Sequence, residues 1–215
     1  MKKYILLVGL MLNTMVTHAQ DHLGIKISPG ISFNRVHTSP PNTGFSPAGA
    51  ALGFKLGAIY DCAMQDNAYV STGLCYATQR VALKNEAASP SIQEAHVLNY
   101  LQVPLLLKLY TSELALDTRL YVVLGVLGQI KFNERNTVLH KDQKTPLVET
   151  FRRWGLAGLL DIGVEYDTGL STSIFGGISY QRSLLNVIDK HAQGPSGCEV
   201  KAYSDLFSID IGVKF

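Results

Sequence analysis

The last nine residues alternate in character. Phe207, Ile209, Ile211, Val213 and Phe215 are separated by Ser208, Asp210, Gly212 and Lys214. A helix would scatter those five apolar side chains around its circumference, whereas a strand places all of them on one face. The same period of two recurs in seven earlier segments. The first carries Leu23, Ile25, Ile27, Ile31 and Phe33 on its apolar face, with Pro29 as an interruption tolerable at a strand kink or bulge. The others are centred on residues 52–60, 70–76, 101–109, 120–132, 154–166 and 174–181. The segment at 120–132 is the least regular, because Val123 and Leu127 fall on its otherwise polar face.

The connections are as informative as the strands. They run over residues 35–50, 61–67, 81–96, 111–118, 133–151, 167–170 and 185–202, so long and short ones alternate throughout. Barrels of the outer membrane have short periplasmic turns and longer external loops. The pattern predicts an all-β chain: an up-and-down, eight-stranded antiparallel transmembrane β-barrel with both termini periplasmic. Tyr60, Tyr166 and Phe215 fall at one end of their strands, where an aromatic girdle would sit.

A soluble barrel or sandwich is the competing architecture, since alternation alone does not say which face meets water. Composition weighs against it. Charged residues make up 17% of the chain, below the ~25% usual for soluble domains. Mean hydropathy is +0.12. The less apolar face is mostly Gly, Ser and Ala with sparse charges, which suits a narrow lumen better than a solvated surface. Disordered, collagen-like and long coiled-coil chains are excluded by the same figures.

The amino terminus reads as a leader. Lys2 and Lys3 precede an apolar run over residues 4–15, and Thr17-His18-Ala19 offers small residues to a signal peptidase. Residues 1–19 are therefore expected to be a signal peptide and residues 20–215 the barrel domain. The run is shorter than the ~20 residues a spanning helix needs. No Cys follows the cut to accept a lipid, so a lipoprotein is not expected. Without the leader the chain is close to neutral, which removes nucleic acid as an expected partner. The expected compartment is the outer membrane, with its lipid as the first partner.

The segment YLQVPLLLKLY at residues 100–110 resembles the Y-L-x-x-P-L-L-L-K stretch of the PorT-like outer-membrane barrels of Bacteroidota-type bacteria. GIKISPGISF is similar to the first strand of that family, LYVVLGVLG to its fifth, GLAGLLDIGVEY to its sixth, and YQRSLLNVID to the end of its seventh. The resemblance runs over nearly the whole mature chain and rests on the order of these segments rather than on any one. It implies the fold and the compartment, and a link to type IX protein secretion. It supplies no catalytic or cofactor residues. A terminal aromatic such as Phe215 is, by the same resemblance, what barrel-assembly machinery recognises.

If the apolar faces meet lipid, then Lys26, Lys55, Lys108, Lys131, Asp161, Glu165, Asp210 and Lys214 point into the lumen. Eight strands leave an interior just wide enough for side chains to fill, and charges buried there must pair. The expectation is a structural charge network, with Lys26 and Lys55 pairing Asp161 and Asp210; a selective channel is the alternative. His37, His96, His140 and His191 each lie in or beside a different long connection, and separate surface imidazoles are expected rather than a metal site. Cys62 is placed in a short turn, Cys75 in the lumen and Cys198 in the last long connection, too far apart for disulfides. No G-x-S-x-G, H-E-x-x-H or Walker-type sequence is present. No catalytic residue, metal site or cofactor is expected. The expected function is structural or partner-binding, with an accessory role in secretion as its resemblance-based form. A lipid- or peptide-modifying enzyme at the rim and a small pore are the alternatives.

Overall fold

The computed structural model describes residues 21–39, 45–47, 49–85, 92–138, 148–169, 171–191 and 199–215. The expected signal peptide, His18, His140 and Cys198 lie outside them. The strands are β1 (His22–Ser39), β2 (Phe45–Pro47), β3 (Ala51–Gln65), β4 (Ala68–Asn85), β5 (Ile92–Tyr110), β6 (Thr118–Val138), β7 (Val148–Phe151), β8 (Trp154–Asp167), β9 (Ser173–Ser183), β10 (Ile188–His191) and β11 (Glu199–Lys214). The large sheet runs β4-β3-β1-β11-β9-β8-β6-β5, and β4 pairs β5 to close it into an eight-stranded antiparallel barrel. β2 adds to the end of β4, while β7 and β10 form a separate two-stranded sheet.

Closure is needed because an open edge in hydrocarbon would leave backbone polar groups without partners. The seam joins the first strand to the last. Gly24 lies opposite Lys214 and Ile27 opposite Ile211. Beyond the strand ends, Phe215 N donates to Leu23 O at 2.8 Å and Leu23 N to Phe215 O at 3.2 Å. Pro29 has no N–H to give. The β1–β11 ladder passes from Ile27–Ile211 directly to Gly30–Ser208, while Pro29 keeps its place opposite Phe54 of β3. At Pro104 the β4–β5 ladder likewise skips from Thr72–Leu105 to Cys75–Gln102, and Thr72 Oγ1 donates to the Pro104 carbonyl at 2.9 Å.

The alternating faces are inverted relative to a soluble protein. Outward positions are apolar and exposed, among them Ile25 (57%), Leu105 (62%), Ile162 (53%) and Ile211 (53%). Inward positions are polar and buried, among them Ser28, Gln102, Gln181, Ser208 and Asp210. Val123 and Leu127 do point inward, where they pack with Ile59, Leu106, Tyr121 and Phe175 in an apolar cluster within the lumen. Two facing glycines make room there. A Cβ on Gly163 would lie 2.3 Å from the Tyr121 hydroxyl, and one on Gly177 2.6 Å from it. In register these glycines lie opposite each other on β8 and β9. Together they form the slot that takes the Tyr121 ring.

Strand lengths differ from the sequence reading. Residues 81–96 and 133–138 were expected in connections, yet the β4–β5 ladder continues to Asn85–Ile92 and the β5–β6 ladder to Glu94–Val138. Above the apolar belt the outward face turns polar, as at Thr78 and Arg80, so the alternation fades while the pairing continues. Cys62 also lies within β3 rather than in a turn, because that hairpin turns at Asp66-Asn67. Cys62 and Cys75 are free thiols, and Cys75 is buried. No helix of the described residues is long and apolar enough to cross a membrane.

Candidate functional site

The lumen is the place where this chain concentrates chemistry, and it is built in layers. The layer nearest the short turns joins Asp61 of β3, Lys108 of β5, Glu165 of β8 and Lys214 of β11. Lys214 Nζ lies 2.5 Å from Glu165 Oε2 and 2.8 Å from Asp61 Oδ2. Lys108 Nζ lies 3.1 Å from the same Glu165 oxygen and 3.4 Å from Asp61 Oδ2. The Tyr110 hydroxyl donates to Glu165 Oε2 at 2.7 Å. Lys108 Nζ also sits 4.3 Å from the centre of the Tyr121 ring and 4.9 Å from that of Tyr110. Each cation thus has two carboxylates, and aromatic faces supply further compensation for lost hydration.

One step further into the barrel lies a second layer. Lys26 Nζ donates to Asp210 Oδ2 at 2.8 Å, and Lys55 Nζ is 4.0 Å from Asp210 Oδ1. Lys55 donates to Ser179 Oγ at 3.2 Å, and Ser179 Oγ donates to Asp210 Oδ1 at 2.9 Å. Asp161 departs from expectation. It is buried in this layer but makes no ion pair within 4.0 Å among the described residues, and its Oδ1 has no hydrogen-bond partner. The Tyr121 hydroxyl is likewise without one. Both residues border a lumen cavity of about 40 Å³, enough for a few waters, each needing about 10–15 Å³. The lysines of this layer pair instead with Asp210, which also accepts from Ser179 and Ser208.

Lys131 stands apart, paired with Glu134 at 2.6 Å near the far end. Above the second layer come buried amides: Gln79, Gln102, Gln129 and Gln181. The far end is closed by an apolar cluster of Ala77, Val81, Leu98, Tyr100, Phe151, Val187, Ile188, Val200 and Ala202. Three of these come from the connections. Phe151 ends β7, and Val187 and Ile188 precede or begin β10, so segments expected outside the barrel fold over its mouth. Arg152 N donates to Val187 O and Val187 N to Ala202 O, which fixes the two connections to each other and to β11.

Sequence reasoning missed three participants. Asp61 was assigned to a turn. Tyr110 and Tyr121 sit at the ends of apolar runs, and only their inward parity in β5 and β6 marks them. Of the four histidines in or beside the long connections, only the side chains of His37 and His96 are described, and these two do not converge. His37 is exposed on the outer face of β1, and His96 is buried in β5 with its ring 4.7 Å from that of Phe151. Among the described residues no group of His, Cys, Asp or Glu is arranged to hold a metal ion.

This inverted barrel has its counterpart in sequence comparison. The family described as the outer membrane protein beta-barrel domain matches residues 18–189. The chain belongs to that family. Its compartment is the outer membrane, and the apolar belt lies in that bilayer. No curated protein matches the chain. Among solved structures it is similar to Neisserial surface protein A, with 13% identity, 90% of this chain and 97% of that one covered, and a TM-score of 0.44. It is also similar to OprG of Pseudomonas aeruginosa, with 16% identity, 89% and 95% covered, and a TM-score of 0.45. The outer membrane protease OmpT of Escherichia coli is similar over 94% and 99%, at 9% identity and a TM-score of 0.43. These likenesses carry no statement about role.

Proposed function

We propose that the protein is a closed outer-membrane barrel that works by binding a partner through its long connections, and is neither a pore nor an enzyme. In this reading the short turns and both termini face the periplasm and the long connections face outward. The observation that supports it is the filled lumen: two ion-paired layers, a layer of amides and an apolar cap lie in series along the axis. The charge network of Lys26, Lys55, Lys108, Glu165, Asp210 and Lys214, completed by Asp61 and with Asp161 unpaired beside it, is then structural, holding the walls together rather than selecting ions. An accessory role in protein secretion, resting on the PorT-like resemblance, is the narrower form of the reading. Barrel-assembly machinery would be a transient partner, through Phe215.

The conductance of purified barrel in planar bilayers tests this. Baseline current without stable steps is expected. Reproducible open channels would replace the reading with the pore. Affinity capture from native membranes then tests the narrower form, which expects secretion components among the bound proteins.

A further inference from the structure

Strands β1, β11 and β9 lie side by side in the wall. Their outward positions are apolar or aromatic as far as Phe33, Phe207 and Tyr180. At the next outward position all three turn polar together: Arg35, Asp205 and Arg182. The register keeps the change level between β11 and β9, with Phe207 opposite Tyr180, and sets it one outward position later on β1, where Phe33 lies opposite Asp205. The Phe33 and Tyr180 rings stack with centres 6.3 Å apart, an aromatic rim at the top of the apolar belt. Amphipathic rings mark the level of lipid headgroups.

Directly above that rim is a groove on the lipid-facing side, lined by Arg35, His37, Arg182, Ser183, Leu184 and Tyr203. Its floor is built. Arg35 Nε donates to Asp205 Oδ2 at 2.6 Å and Nη2 to Oδ1 at 3.1 Å, and Nη2 also donates to the Ser183 carbonyl at 3.2 Å. The guanidinium lies over the Tyr203 ring at 5.1 Å, and His37 meets the same ring edge-on at 5.9 Å. Asp205 is fully buried and also accepts from the Tyr180 hydroxyl and Ser183 N, so its charge is spent within the floor. Arg35 Nη1 makes no hydrogen bond among the described residues. Arg182 is exposed and has no ion pair among them. The groove is therefore cationic at its rim and apolar at Leu184.

We propose that this groove binds the phosphate-bearing headgroup of an anionic lipid. Arg182 and the free edge of Arg35 would contact the phosphate, and Leu184 and the Phe33–Tyr180 rim would lie against the upper acyl chain. Two features single out a lipid. The groove is continuous with the bilayer-facing belt, so every lipid of that leaflet passes it. Its surplus charge is positive, and among the described residues that build it the carboxylate, Asp205, is already buried and paired. Only the choice of leaflet, that of the long connections, rests on the orientation proposed above.

The chain's single tryptophan provides the probe. Trp154 is 64% exposed on β8, and two residues on, the Leu156 carbonyl accepts from Leu184 N of the groove. The full-length mature protein is placed in phosphatidylcholine vesicles carrying a minor fraction of brominated phosphatidylglycerol or of brominated phosphatidylcholine. Quenching of Trp154 then reports which lipid occupies the site. An enrichment of the anionic lipid of about fivefold per engaged arginine is expected, falling as salt rises. Arg182→Gln should lose about that factor while Arg182→Lys keeps most of it, both with wild-type heat modifiability. Millimolar inorganic phosphate should not displace the effect. Equal quenching by the two lipids, an unchanged preference in Arg182→Gln, or displacement by free phosphate would overturn the proposal. Protease accessibility of the long connections in whole cells reads the orientation separately: an inverted barrel would move the site to the other leaflet without abolishing the preference.

Discussion

Asp210 shows how much one inward residue carries in a lumen this narrow. It is fully buried, accepts from Lys26 at 2.8 Å and from Ser179 at 2.9 Å, and is the nearest carboxylate to Lys55. Asp210→Asn keeps the shape and removes the charge, leaving the buried Lys55 and the part-buried Lys26 with no ion-pair partner within 4.0 Å among the described residues. Breaking a buried pair in this way costs about 3–5 kcal/mol. Asp117, exposed in a short turn with a φ of 57°, is the control. Asn tolerates that backbone region, so Asp117→Asn should stay within about 0.5 kcal/mol of wild type. Thermal loss of the heat-modifiable band in detergent measures both. Similar melting for the two variants would mean that Asp210 is hydrated. At this scale the sequence was informative about direction and poor about partners. Parity along β8 and β11 tells that Asp161 and Asp210 point inward, but nothing in it ranks them for the lysines. That ranking comes from Ser208, two residues earlier on the same strand, and from Ser179, which comes beside Asp210 only once β9 and β11 are in register. Asp61 was hidden because the β3–β4 turn is tighter than the polar stretch around it suggests.

For the strands, legibility follows the bilayer. Alternation is clean wherever one face meets hydrocarbon and the other the lumen, which is why all eight barrel strands were visible. It fails above the belt, where the outward face turns polar while the inward face mixes polar Gln79 and His96 with apolar Val81 and Leu98, as in the upper parts of β4 and β5. The final strand gives the sharpest test of depth. Ile211 lies midway along the apolar face of β11, opposite Ile27 on one side and Gly176 on the other. A lysine near mid-bilayer costs about 2–4 kcal/mol. Leu116, 87% exposed in the turn between β5 and β6, is its counterpart outside the belt. Ile211→Lys should lower the yield of assembled, heat-modifiable barrel, and Leu116→Lys should leave it near wild type. In a soluble barrel both lysines would be harmless, since both positions are exposed. Equal yields would therefore remove the belt from the hydrocarbon.

Seen as a whole, the molecule is a wall that the sequence announces and a filling that it does not. Closure follows from eight strands whose first and last members pair. The far plug could not be read, because it comes from long connections, whose apolar residues Phe151, Val187 and Ile188 have no period to betray an inward course. This arrangement yields a prediction about sealing. Phe151 is the largest member of the cap supplied by a connection, and it packs on His96 and lies within 5.5 Å of Lys131 Nζ. Phe151→Ala should cost about 3–5 kcal/mol through the cavity it leaves. It should nevertheless leave bilayer conductance at baseline, because the amides Gln79, Gln102, Gln129 and Gln181 and both ion-paired layers still fill the lumen beneath. The ion-paired layers are held by Lys26, Lys55, Asp61, Lys108, Glu165, Asp210 and Lys214, none of which belongs to the cap cluster around Phe151. A destabilised but silent Phe151→Ala barrel would place the seal in the lumen's own side chains. Step conductance from that variant alone would place it in the cap, with a passable lumen below, and the long connections would then act as a gate.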